Sequence, residues 1–155
     1  MTPFECVPNF SEGRDAEVVQ AIAHAARDVP GVTVLDVERN PDHHRSVISL
    51  VGEGPPLLEA VLKMMAVAVG RIDLTRHHGE HPRMGAVDVV PFVPLGASTM
   101  EDAVRLAERL AERVWSELKV PVYLYADAAR RPERRDLAAV RHGEFEGIRA
   151  TIATD

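Results

Sequence analysis

The chain has 155 residues, of which 46% are hydrophobic and 27% charged, as is typical of one globular domain. Its net charge of −6 argues against a nucleic-acid-binding protein, a class that usually carries a basic face. No apolar run approaches the roughly 20 residues of a membrane span, and the N-terminus lacks the pattern of a secretory signal. Because Cys6 is the single cysteine, an internal disulfide is excluded, and we expect a cytoplasmic protein.

The spacing of apolar residues predicts strands and helices in alternation. Residues 4–9 form a short apolar run that predicts a strand. From residue 15 the pattern is helical, and Pro30 with Gly31 ends that helix. We expect its buried face to be Val18, Val19, Ile22, Ala23, Ala26 and Val29. Residues 32–37 and 45–51 then predict the two strands of a hairpin.

The second half of the chain repeats this alternation. A helix beginning at Pro55 is expected to bury Leu58, Val61, Leu62, Met65 and Val69. Residues 86–93 predict a further strand. Ser98 and Glu101 form a capping-box pattern that begins a third helix. We expect that helix to bury Val104, Ala107, Leu110, Ala111, Val114 and Leu118. Residues 120–125 predict the last strand.

This order of elements predicts an α+β fold, with a mixed β-sheet and helices packed on one face. It is the order of the ferredoxin-like βαββαβ motif, followed by an added helix–strand unit. We expect residues 1–155 to form one unit.

The densest polar stretch is residues 76–83, which holds His77, His78, Glu80 and His81. Three interpretations stay open: a solvated loop, a metal site, and a general acid–base histidine, whose ordinary pKa of about 6.5 suits work near neutral pH. The metal site is disfavoured because the stretch is not His-Glu-x-x-His and because Gly79 and Pro82 oppose a regular helix. Histidines of another loop, His43 and His44, remain available as ligands.

Four blocks of sequence together resemble the glutamate formimidoyltransferase family. They are residues 5–13 (ECVPNFSEG), 78–92 (HGEHPRMGAVDVVPF), 120–129 (VPVYLYADAA) and 141–146 (RHGEFE). The blocks occur in the family's order and at its spacing, over nearly the whole chain. The resemblance implies that residues 1–155 are the N-terminal subdomain of such an enzyme, with the second subdomain absent.

The resemblance also implies a reaction in one-carbon metabolism. A formimidoyl group would pass from N-formimidoyl-L-glutamate to the 5-nitrogen of tetrahydrofolate, the co-substrate, during histidine degradation. The family's catalytic histidine corresponds to His81, which would act as general acid and base. No metal is expected.

The remaining site residues are expected to bind the substrates. Arg45 and Arg83 are candidates for clamping carboxylates, although solvent-facing arginines beside strands are the alternative. Asp36 and Glu80 are expected to orient His81 or to bind the pterin. Asn9, in the first block, and His44 complete the predicted set. His44 is a departure, because family members commonly have Asn at this position.

The absence of the second subdomain leaves several partners and functions open. A separate chain, or a second copy in a homodimer, is expected to complete the cleft; nucleic acid and membrane are not expected partners. The alternatives to a self-sufficient enzyme are half of a two-chain enzyme and a non-catalytic folate- or protein-binding module.

Overall fold

The structure, a computed structural model, describes residues 3–76 and 85–137. Its strands are β1 (Pro3–Cys6), β2 (Asn9–Phe10), β3 (Val32–Asn40), β4 (Arg45–Glu53), β5 (Val87–Val89) and β6 (Phe92–Pro94). Its α-helices are α1 (Ala16–Arg27), α2 (Gly54–Arg71) and α3 (Met100–Arg113). A π turn at Val114–Leu118 extends α3, and 3-10 turns occur at Leu74–Arg76, Ala126–Ala128 and Pro132–Arg134.

The sheet is built around β4. One side of β4 pairs with β3, and the other side pairs with β1 and β2, which follow each other as one interrupted strand. Beyond them, β6 pairs with β1 and β5 pairs with β2. With α1 and α2 as the two crossovers, this arrangement is a ferredoxin-like βαββαβ unit. The predicted α+β class is therefore confirmed.

Two details of the predicted fold are wrong. Every strand pair among the described residues is antiparallel, so the sheet is not mixed. Residues 120–125 form no strand, so α3 is added without its expected strand. An apolar run does not by itself specify a strand partner: residues 120–125 are half-buried or exposed, and Pro121 offers no N–H to a ladder. These residues instead help to line an apolar cavity of about 520 Å³ beside α3.

The three helices cover one face of the sheet. Along β4, Ser46, Ile48 and Leu50 are buried, whereas the residues between them are only half-buried. This alternation follows from the two-residue period of a strand and places a single core between sheet and helices. The opposite face, here called the open face, carries the odd-numbered residues of β4.

Helices α1 and α2 lie where their sequence patterns predict them. Asp15 caps α1 by accepting the N–H groups of Glu17 and Val18. The buried stripe of α1 is the predicted one, Val18, Val19, Ile22, Ala23 and Ala26. Four of the five predicted residues of α2 are buried, but Val69 is 39% exposed. None of the helices in residues 3–76 and 85–137 is long and apolar enough to cross a membrane.

Helix α3 begins one residue later than its sequence pattern predicts. The capping box joins Thr99 and Asp102, not Ser98 and Glu101. The Ser98 hydroxyl instead donates to the carbonyl of Pro3, 2.7 Å away. The buried stripe also differs from the predicted one: its buried members are Ala103, Leu106, Leu110 and Val114, whereas Val104, Ala107, Ala111 and Leu118 are half-buried.

Candidate functional site

The predicted site residues divide into two groups. The structure describes Asn9, Asp36, His44 and Arg45. The other three, Glu80, His81 and Arg83, lie outside the described residues, and their site roles stay predictions.

Three of the described residues share the open face of the sheet. Arg45 is the first residue of β4, and Asn9 pairs with Val47, two positions further along the strand. Asp36 pairs with Ser49, just past a bulge in β3. Since residues two apart on a strand point to the same side, these side chains project from one surface. Asn9 and Arg45 lie close together there, and Asp36 lies on the edge strand.

His44 occupies a different position, at the end of the turn between β3 and β4. Its imidazole is 12% exposed, and its Nδ1 accepts the backbone N–H of Gly13 at 3.0 Å. A carboxylate oxygen of Glu12 lies 3.4 Å from the same nitrogen. The backbone of His44 has a φ of 53°, in the left-handed region that Asn tolerates well. The described contacts of His44 therefore fix the backbone, and a substrate contact at His44 stays a prediction.

The loop from Glu12 to Asp15 is tied to the turn by further bonds. The Arg39 guanidinium donates to the carbonyl of Gly13 at 3.2 Å, and Arg14 Nε donates to the carbonyl of Pro41 at 3.0 Å. Glu12 accepts the backbone N–H of Arg14 at 3.0 Å. Charged side chains thus bridge the two loops in both directions, and the loops form one framework beside Asn9.

Gly13 allows the two loops to approach this closely. A Cβ at this position would overlap the backbone of Asn40 and Arg45, with the Arg45 carbonyl oxygen only 2.7 Å away. Only glycine offers the missing volume. Gly13 thereby places the loop directly against the start of β4, where Arg45 emerges.

Ser11 connects the same loop to the other side of the site. Its N–H donates to the Ala86 carbonyl at 2.9 Å, and its hydroxyl donates to the Gly85 carbonyl at 2.7 Å. Ser11 itself is 2% exposed. Gly85 follows His81 by four positions in the sequence. The end of β2, the start of β4 and the residues leading into β5 therefore meet at one end of the sheet.

The single cysteine, Cys6, lies on β1 opposite Leu50 and is unsuited to chemistry because it is buried. Cys6 is fully buried, and burial raises the pKa of its thiol well above the ordinary value. A thiol held neutral is a poor nucleophile, and Cys6 packs within the hydrophobic core. In residues 3–76 and 85–137, no three His, Cys, Asp or Glu side chains lie close enough to hold a metal ion.

The sequence pattern did not assign roles to Ser11, Glu12 and Gly13. They belong to a block that resembles the family, but they read as an ordinary polar loop before a helix. Gly13 was the one clue in the sequence, since a glycine among polar residues can mark a close approach of two backbone segments. Its partners, Asn40 and Arg45, are about thirty positions away, and no local pattern identifies them.

Comparison with known proteins gives a consistent result. Residues 3–155 match the family described as formiminotransferase domain, N-terminal subdomain. A protein from Thermoplasma acidophilum named glutamate formimidoyltransferase is 51% identical over 146 residues, which are 94% of this chain and 48% of that protein. A protein of the same name from Streptococcus pyogenes serotype M1 is 48% identical over 144 residues, 93% of this chain and 48% of that protein.

A fused relative shows the same similarity. The protein from Sus scrofa named formimidoyltransferase-cyclodeaminase is 48% identical over 144 residues, 93% of this chain and 27% of that protein. The chain thus spans about half the length of the first two relatives and about a quarter of the third. A match over residues 3–155 together with these identities shows that the chain belongs to the formiminotransferase family, as its N-terminal subdomain.

Proposed function

We propose that this chain supplies the histidine-bearing half of a glutamate formimidoyltransferase. The observation that carries the proposal is the identity of 48–51% to two proteins of that name over 93–94% of the chain. The formimidoyl group passes from N-formimidoyl-L-glutamate to the 5-nitrogen of tetrahydrofolate, in histidine degradation. The sequence-based expectation of a cytoplasmic location belongs to the same proposal.

In the proposed mechanism, His81 moves the two protons of the reaction. The folate 5-nitrogen attacks the amidine carbon and loses a proton, while the glutamate nitrogen gains one as it leaves. A single imidazole takes the first proton and returns the second, which typically accelerates a reaction about 10²–10⁴-fold. Alignment of the two bound reactants contributes the larger share. No metal takes part.

The binding of both reactants is assigned to the remaining residues. Arg45, on the open face, and Arg83 clamp substrate carboxylates, because a guanidinium matches a carboxylate in a bidentate pair. Asn9 lies beside Arg45 on that face and offers both a donor and an acceptor. Asp36, His44 and Glu80 are assigned to the pterin or to the orientation of His81.

In the proposed assembly, a second subdomain completes the cleft. The named relatives are about twice as long as the matched region or longer. We infer that a second subdomain, or a second copy of this chain in a homodimer, covers the open face that carries Asn9 and Arg45. The alternative is a non-catalytic folate- or protein-binding module. Binding without transfer in the complete assembly would favour that alternative.

Titration calorimetry of the complete protein with tetrahydrofolate and with N-formimidoyl-L-glutamate tests the proposal. We expect both ligands to bind, and Arg45→Ala to weaken N-formimidoyl-glutamate binding at least tenfold, as the loss of a charge-assisted bond of about 1.5–3 kcal/mol implies. Arg27, an exposed arginine at the end of α1, is the matched control, and Arg27→Ala should bind like the wild type. Absence of heat with both ligands would contradict the proposed function.

A further inference from the structure

We propose that Ser11 is a positioning residue for His81. This inference rests on the proposed function and deepens it, since it names a residue that acts through the catalytic histidine without touching the substrate. Ser11 holds the backbone at Gly85 and Ala86, directly downstream of the segment that contains His81.

Two bonds from one residue make this attachment. The Ser11 N–H and hydroxyl donate to adjacent carbonyls, those of Ala86 and Gly85, at 2.9 and 2.7 Å. Two donors on neighbouring carbonyls fix both the position and the direction of the backbone, whereas one bond would leave rotation free. Because Ser11 is 2% exposed, water does not readily replace its hydroxyl as a donor.

The attachment has a rigid base. Gly13, two residues after Ser11, is held by the imidazole of His44 and by the guanidinium of Arg39. Before Ser11, β2 is paired on both sides, with β4 and with β5. Ser11 therefore lies between two fixed points, and its position is set by the sheet and the framework of loops.

The attached residue is one that needs restraint. Gly85 has no side chain to limit its φ and ψ, so its backbone has more freedom than that of any other residue type. Gly85 lies four positions after His81, which limits the distance between their Cα atoms to about 14 Å at full extension. A bond to the Gly85 carbonyl removes backbone freedom four positions from His81 in the sequence. Errors of about 1 Å in the position of a catalytic group cost up to about 100-fold in rate.

Steady-state kinetics of the complete enzyme test the proposal with three variants. We expect Ser11→Ala to lower kcat at least about tenfold while KM for both substrates stays within about twofold, because positioning acts on the transition state. Ser11→Thr retains the hydroxyl and should recover most of kcat. Ser98 is the matched control, because its hydroxyl also donates to a backbone carbonyl at 2.7 Å, at Pro3. Ser98→Ala should leave kcat unchanged.

A second measurement does not depend on turnover. In a histidine-ring carbon–proton NMR spectrum, the His81 signal is identified by its loss in His81→Gln. We expect Ser11→Ala to shift or broaden that signal and Ser98→Ala to leave it unchanged. An unaltered His81 signal in folded Ser11→Ala would overturn the positioning role, whether or not the enzyme transfers formimidoyl groups. Absence of transfer in the wild type, with the signal shifted, would overturn the proposed function alone.

Discussion

The imidazole Nδ1 of His44 accepts the backbone N–H of Gly13 at 3.0 Å, and this bond joins two loops that lie 31 positions apart. One loop follows β2 and begins α1; the other is the turn between β3 and β4. Asn9 and Arg45 project from the strands that end and begin at these loops. The geometry of the candidate site on the open face is therefore set by a contact between backbone and imidazole.

Removing the imidazole should destabilise this junction. His44→Ala leaves the N–H of Gly13 without its acceptor, so we expect a loss of about 1–2 kcal/mol in the free energy of unfolding, measured by urea denaturation. His44→Asn offers a carbonyl oxygen and tolerates the left-handed backbone, so it should recover at least half of that loss. His24, an exposed histidine on α1, is the control, and His24→Ala should change stability by less than about 0.5 kcal/mol. Equal losses in His44→Ala and His44→Asn would refute the acceptor role.

Gly13 should not accept a side chain. The added methyl group of Gly13→Ala meets the backbone of Asn40 and Arg45, which moves less easily than side chains. We therefore expect the free energy of unfolding to fall by about 1–3 kcal/mol. A methyl group at Gly70, near the end of α2, would meet nothing within 4 Å beyond the backbone of its own helix. Gly70→Ala should therefore be neutral or stabilising by up to about 1 kcal/mol. Thermal and urea unfolding of both variants give the comparison; a Gly13→Ala protein as stable as the wild type would contradict the close approach.

The thiol of Cys6 should make stability depend on pH in the alkaline range. Burial raises the pKa of Cys6 well above the ordinary 9.0, so the folded protein keeps the proton that the unfolded chain loses above that pH. The stabilising contribution is complete below pH 9.0 and decreases as pH rises further, by up to about 1.4 kcal/mol per pH unit. Urea denaturation between pH 8 and 10 should show a steeper decrease for the wild type than for Cys6→Ala. An identical decrease of stability with pH in both proteins would show that the Cys6 thiol ionises at the same pH in the folded and unfolded states.

Sequence patterns predicted the elements that a single face of burial determines. The stripe on α1 and the hairpin of β3 and β4 follow from residue spacing alone, and both are present. Burial on α2 is broader than predicted, because this helix contacts α1, α3 and the sheet. The periodicity of apolar residues identifies one buried face of a helix, but it does not reveal how many other elements pack against that helix.

The errors have tertiary causes. Ser98 does not cap α3, because its hydroxyl bonds to Pro3, 95 positions earlier. Residues 120–125 have the composition of a strand, but they pack beside α3 without a strand partner in the described part of the chain. Both outcomes depend on long-range partners that a local pattern does not contain.

The candidate site was only partly predictable, because some of its contacts also join segments far apart in the sequence. The resemblance selected Asn9 and Arg45, and the register of β2 and β4 brings them together. It did not reveal that His44 bonds to Gly13, or that Ser11 bonds to Gly85. Those contacts join segments separated by 31 and 74 positions, so only the folded chain shows them.

The most direct test of the central claim is formimidoyl transfer by His81→Ala. With tetrahydrofolate and N-formimidoyl-L-glutamate at saturation, and with circular dichroism confirming the fold, we expect kcat to fall about 10²–10⁴-fold. His24→Ala, assayed in parallel, should match the wild type. A His81→Ala enzyme that retains wild-type kcat would contradict the account.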